Sequence, residues 1–232
     1  MLILGIETAT KTGGVAIVSD DGVIAEYTLN IEVTHSERLM STVDRVLKDT
    51  GIELSRIDGF GVSIGPGSFT GLRIGLSTVK GLAFTTGKPL AAVPTLKALA
   101  WNVPYSRYPV CPLLDARKKE VYAALYRQDG RDLLTLWDAT VAPLAELAGR
   151  ITGEVIFTGE GARLFTGEIE RLFGARAHTA PLSAMVPSAA SVAEIALRML
   201  KGGYAADPDD LSPLYIRRPE AELAWEKRQR SQ

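Results

Sequence analysis

The side chains best suited to chemistry are sparse in this chain. His35 and His178 are its only histidines, and neither has a second imidazole at metal-binding spacing. The single cysteine, Cys111, allows no intrachain disulfide and argues against a cysteine-based zinc site. No G-x-S-x-G elbow presents a serine for nucleophilic attack. Neither a metal centre nor a catalytic constellation is expected from residue types alone. Carboxylates are better placed. Glu7-Thr8 closes the first apolar run and Asp115 closes a comparable run in the second half. Carboxylates at opposed strand ends can hold a water or a metal across a cleft, although strand ends also carry such residues for turn chemistry. The degenerate glycine loop "GEGAR", with Gly159 and Gly161, is a further anion-loop candidate. Glu7, Thr8, Asp115, Gly159 and Gly161 are therefore the candidate cleft-facing or nucleotide-facing residues.

The densest stretch is "SIGPGSFTGLRIG", residues 63–75, a glycine-rich turn between an apolar run and a helical pattern. A phosphate-binding P-loop needs a second glycine followed by Lys-Ser/Thr, so that lysine reaches the phosphates and the hydroxyl holds magnesium. Counted from Gly65, the required glycine falls on Thr70, and no Lys-Ser/Thr follows. The dinucleotide pattern G-x-G-x-x-G fails at the same residue. What the stretch does suit is a tight Pro66-Gly67 turn, with Ser68 or Thr70 capping the next helix. Its amides stay open as a weak anion site.

That helix, expected from about Gly71 to Thr86, is apolar or small around most of its surface. Leu72, Leu76, Val79 and Ala83 form one stripe, and Gly71, Gly75, Thr78 and Leu82 a second beside it. Only Arg73, Ser77 and Lys80 form a polar strip. Such a helix is buried on two sides. Close packing within the domain and docking of a helix from another chain both fit. The earlier helical pattern over 34–51 carries a similarly broad stripe of Leu39, Met40, Val43, Val46 and Leu47. Its expected start is a capping box of Thr34 and Glu37, and its expected stop is Gly51.

The elements that must position these residues read in order as three strands (2–8, 13–19, 23–30), a helix, a strand (57–65), the glycine-turn helix, a strand and a short helix. Asp21-Gly22 marks a hairpin, so the opening is an antiparallel meander. After the proline- and tyrosine-containing "VPYSRYP", the second half repeats the logic with strands at 110–116, 120–127, 131–138 and 153–159. Helices are expected near 143–150, 161–173 and 188–201. Two α/β lobes with a cleft between them follow, 1–104 and 105–232, with the tail from about 205 a candidate to fold back on the first lobe. The mixed-charge tail, with Arg217, Arg218 and Lys227 among Glu220, Glu222 and Glu226, reads as a solvated helix.

Composition sets outer bounds. The 232 residues carry 26 Lys and Arg against 27 Asp and Glu, so no global basic field argues for nucleic-acid binding. The N-terminal apolar run has no basic flank and ends at Glu7, too short for a signal peptide or membrane span. A cytoplasmic protein with no membrane contact is the expectation.

"ILGIETATKTGGVAIV", "HSERLM", "GPGSFTGLRIG" with "KGLAF", "DARKKEVYAALY" and "YIRRPEAE" occur in an order that resembles the TsaB (YeaZ) family of tRNA threonylcarbamoyladenosine biosynthesis proteins. The likeness is strongest over 2–127 and looser over about 128–205. It implies a two-lobed actin-like ATPase fold (sugar kinase/actin-type, ribonuclease H-like), each lobe a mixed sheet with helices. It also implies a non-catalytic paralogue of the transferase TsaD, acting with TsaD and the small ATPase TsaE on adenosine 37 of tRNA. The catalytic paralogue's H-x-x-x-H metal motif has no counterpart among His35 and His178. The resemblance implies dimerisation through the two over-apolar helices, in a homodimer when alone and a heterodimer with TsaD. Leu39, Met40, Val43, Leu47, Gly71, Leu72, Gly75, Leu76 and Val79 are the expected interface residues. Gly75→Leu or Leu72→Glu is then expected to weaken association without unfolding. No intrinsic cofactor is implied; ATP or ADP, and tRNA, belong to the complex or the cleft. Two rival readings remain: an independent ATPase using Glu7, Thr8 and Asp115, and a peptidase, which the missing histidine pair disfavours.

Overall fold

In the computed structural model, residues 1–30, 35–130 and 132–217 are described. Thr34, the expected capping partner of Glu37, and the charged tail from Arg218 onward lie outside them. Strands β1 (Ile3–Glu7), β2 (Gly13–Ser19) and β3 (Gly22–Leu29) form the expected antiparallel meander. Helix α1 (His35–Thr50) leads to β4 (Gly59–Gly65), and α2 (Phe69–Thr86) leads to β5 (Leu90–Pro94). The sheet order is β3-β2-β1-β4-β5, with β4 and β5 running parallel to β1.

After α3 (Thr95–Trp101) the pattern recurs. Strands β6 (Val110–Asp115), β7 (Val121–Asp129) and β8 (Asp132–Ala142) form a second meander. Helix α4 (Leu144–Arg150), strand β9 (Val155–Thr158), helices α5 (Glu160–Leu164) and α6 (Thr166–Phe173), and strand β10 (Ala177–Thr179) complete the sheet β10-β9-β6-β7-β8. The two orders are the same when β1 is matched to β6, β2 to β7 and so on. Strand β10, three residues long, has no sequence signal of its own and exists through parallel pairing with β9.

Helix α7 (Ala189–Lys201) comes late in the chain yet packs on the first sheet. There Ile3, Ala16, Val18, Ala91 and Val93 meet Val192, Ala193, Ile195 and Ala196. The contact is close because it pairs glycine with alanine. A Cβ on Gly5 would sit 2.8 Å from Ala193 Cβ, and one on Gly61 would sit 2.5 Å from Ala196 Cβ. Ser188 caps α7 by accepting from Ser191 N, and Glu26 of β3 accepts from Ser188 Oγ and Ala190 N. A carboxylate at that end suits the helix dipole. The first lobe is therefore a sandwich, with α1 and α2 on one face of the sheet and α7 on the other. Helix α3 joins the lobes: Ala98 packs with α7, while Leu96 and Leu99 pack with Val110, Leu114 and Ala124 of the second sheet.

Candidate functional site

The glycine turn is built as its residues suggest, and it serves packing. Ser68 is the N-cap of α2 and accepts from Gly71 N at 3.3 Å. The helix starts two residues earlier than expected and ends on Gly87, left-handed at φ 66°, whose N–H reaches Ala83 O. The turn leans on the β1–β2 connection. Ser68 N donates to Ala9 O at 2.6 Å, and a Cβ on Gly67 would overlap Ala9. Within this stretch, close approach of two backbones accounts for Gly67.

The expected interface stripe largely faces inward. Leu39, Val43, Leu76 and Val79 share one core with Leu4, Ile6, Val15, Phe60 and Val62, and Leu72 is also fully buried. Leu47 is half-buried against the same core. Gly71 and Gly75 are buried, and a Cβ on Gly75 would overlap Thr8 Oγ1 of the chain's own first lobe. The space cleared by Gly75 is thus filled internally. Gly75→Leu and Leu72→Glu are corrected to destabilising substitutions, because each forces bulk or charge into a closed core. Of the nine named residues only Met40 is exposed, at 54%.

The outward side of α2 carries a different set. Thr70, Arg73, Ser77, Gly81, Phe84 and Thr85 are exposed. Phe84 is 91% exposed, and no atom of the described residues lies within 4 Å of where a Gly81 Cβ would be. Phe84 belongs to neither apolar stripe of the helical wheel. The signal for it is an aromatic on the polar strip, one turn beyond Gly81 and two beyond Ser77.

The strand-end carboxylates separate. Glu7 is fully buried: its Oε1 accepts from Ala9 N at 2.5 Å, and Ser63 hydrogen-bonds its carboxyl. Burial pushes its pKa up to about 7, against the opposing hydrogen bonds of Ala9, Ser63 and Thr8. Among the described residues, Glu7 Oε2 and Thr8 Oγ1 find no hydrogen-bond partner. Thr8 also lines a cavity of about 10 Å³ with Gly13, Gly14, Val15, Arg38, Leu39 and Thr42, room for one water. Glu7 and Thr8, expected to face the cleft, are both fully buried.

Asp115 is partly exposed and accepts from Arg117 N at 2.8 Å, with Arg117 Nη1 3.3 Å from its other oxygen. The carboxyl it meets is Glu160, which residue-type reasoning missed. Desolvation and then the Asp115 charge hold Glu160 above its ordinary range; Asp115 N–H, Arg117 and Lys11 pull it the other way. Lys11 belongs to the β1–β2 connection, so the two lobes approach each other here. Gly159 (φ 95°) and Gly161 lie against Leu113 of β6, whose backbone a Cβ on either would crowd. Their role is again close packing, and α5, at five residues, is too short to offer a helix-end anion site.

His178 pairs with Glu154 at 3.1 Å and stacks on Tyr108. Among the described residues, no group of three or more His, Cys, Asp or Glu is placed to hold a metal, and no helix is long and apolar enough to cross a membrane.

Comparison with known proteins places this architecture. A family model described as "TsaD: tRNA N6-adenosine threonylcarbamoyltransferase" matches residues 22–225. The tRNA threonylcarbamoyladenosine biosynthesis protein TsaB of Bacillus subtilis is 32% identical over 97% of this chain and 98% of its own length. YeaZ from Pseudomonas aeruginosa superposes with a TM-score of 0.79 at 25% identity, over 92% of this chain and 99% of that one. The ROK hexokinase of Thermus thermophilus shares the fold alone, with a TM-score of 0.53 at 12% identity over 88% of this chain and all of its own. The expected two-lobed, actin-like α/β fold is the one found.

Proposed function

The chain belongs to the TsaB (YeaZ) family of tRNA threonylcarbamoyladenosine biosynthesis proteins, and from that premise we propose that it is a non-catalytic subunit that binds and activates TsaD, together with TsaE, in the cytoplasm. The observation that carries the docking half of this reading is the outward face of α2. A phenylalanine left 91% exposed beside an unobstructed glycine is an apolar knob next to a hollow. Aromatic side chains, phenylalanine included, are enriched at protein interfaces, and glycine lets a second helix come close. Met40 on α1, packed on the same face of the sheet as α2, is also exposed, at 54%. Both helices are rigidly seated by their inward stripes, so the surface needs little ordering on binding. Alone, the chain pairs with a second copy through this face.

The seclusion of Glu7 and Thr8 supports a non-catalytic role. A fully buried carboxyl whose pKa is raised by desolvation is a poorer metal ligand than an exposed carboxylate. ATP is then consumed by the complex, and tRNA is met through it. Reconstituted threonylcarbamoyl transfer with TsaD, TsaE, ATP and tRNA tests the reading. Transfer should depend on this chain and fall with Phe84→Asp. ATP hydrolysis by the isolated chain that disappears in Glu7→Ala would overturn the non-catalytic role.

A further inference from the structure

Residues 204–217, which follow α7, have neither helical nor strand periodicity, yet they are anchored along their length. Ala206 N donates to Leu90 O at 2.8 Å, a single bridge on the outer edge of β5. Ala206 and Leu211 pack against the core beneath α1 and α2. Leu214 N donates to Ile64 O at 2.7 Å, and a Cβ on Gly65 would lie 2.8 Å from Leu214 O. Tyr215 stacks on Phe69 with centroids 5.2 Å apart and accepts from Arg73 Nε at 3.1 Å, while Arg73 lies 3.8 Å over the Phe69 ring. All of these partners belong to the first lobe.

The next contacts belong to the second. Arg217 Nη1 donates to Ala116 O at 2.7 Å, and Nη2 pairs with Glu120. Both groups frame the β6–β7 turn, which closes through Ala116 N to Glu120 O at 3.0 Å. Arg117, Lys118 and Lys119 within it all have positive φ. Three consecutive non-glycine residues in the left-handed region persist only where surrounding contacts hold them. A guanidinium binding the first carbonyl and the last carboxylate of the turn is such a contact, and its planar fork suits both acceptors at once.

We infer that residues 204–217 are a strap tying the two lobes together, with Arg217 as the fastening that limits lobe opening and steadies the β6–β7 turn. The strap runs from the β5 edge, over the β4–α2 turn, to the end of β6. It therefore crosses from one central strand end to the other, where Lys11 and Glu160 also approach. The inference does not depend on what docks on α2.

The test uses the full chain with spin labels at Arg56→Cys on the first lobe and Glu170→Cys on the second, the native Cys111 being buried. Electron-spin distance distributions are compared for the parent, Arg217→Ala and Glu120→Gln, together with amide exchange of 206–214 and 116–121. The strap account expects one narrow distance in the parent, and a longer or broader one in both variants. Exchange in the two segments should speed up by about tenfold or more, as local opening becomes easier. Arg217→Lys, which keeps a charged donor for both the Ala116 carbonyl and Glu120, should fall between the parent and Arg217→Ala. Unchanged distances and exchange in both single variants would overturn the inference. So would an Arg217→Lys chain as loose as Arg217→Ala.

Discussion

The two lobes share one strand order but fill the same positions with different helices. In the first, the crossovers to the parallel strands are α1 and α2, of 16 and 18 residues. In the second, the corresponding crossovers are α4, of seven residues, and the broken pair α5 and α6, of five and eight. Both sets bury an apolar stripe against their sheet. Only the long, unbroken pair has enough length left over to present a continuous second face. The difference teaches that the helix length of the first lobe exceeds what its core requires, and the outward face of α2 is where the excess appears. The second lobe supplies the control, with Leu164 of α5 exposed at 61% but on a single short turn.

Substitutions can break that comparison, and they differ widely in expected size. Leu72→Glu on the inward face should cost more than about 4 kcal/mol, because it buries an unpaired charge. Chemical denaturation should find it largely unfolded, and a folded Leu72→Glu would mean that α2 is not seated as described. Next in size is Glu7. Its folded pKa, about 7, lies above the 4.5 of the free side chain. The folded state therefore binds the proton more tightly, and stability falls as pH rises from 4.5 to 7, then levels off. Glu7→Gln keeps the acceptor for Ala9 N without the charge. It should stabilise the protein by up to about 3 kcal/mol at pH 8 and by little at pH 4.5, as paired urea titrations would measure. Ser68→Ala removes the α2 cap and should cost about 1 kcal/mol in the same assay. Smallest of all, Phe84→Asp and Leu164→Asp should each change stability by less than about 0.5 kcal/mol, since neither side chain is packed.

Much of this architecture was legible because turn chemistry punctuates the chain. Asp21-Gly22, Gly51, Pro66-Gly67 and Gly87 mark the boundaries of β3, α1, the β4–α2 turn and α2, and the order of the first eight elements reads directly from them. Amphipathic periodicity, however, identifies a stripe without saying what covers it. Leu72, Gly75 and Val79 looked like a surface for another chain, yet the chain's own β1 and β4 lie beneath them. The outward Phe84 escaped because one aromatic on a polar strip has no period. Glu160 and Asp115 lie 45 positions apart and come together only through the parallel pairing of β6 and β9. The fold-back of the tail from about 205 on the first lobe is among the sequence expectations. Its crossing to the β6–β7 turn through Arg217 is not, because that anchor is a contact with residues about a hundred positions away.

On the proposed reading, α2 has one face for the core and one for TsaD. Titrating TsaD with the parent chain, Phe84→Asp and Leu164→Asp, each first shown to be folded, tests it most directly. Loss of about thirtyfold or more in affinity for Phe84→Asp, with parent-like binding by Leu164→Asp, is the predicted result, as for an aromatic anchor at an interface. Parent-like binding by Phe84→Asp would contradict it.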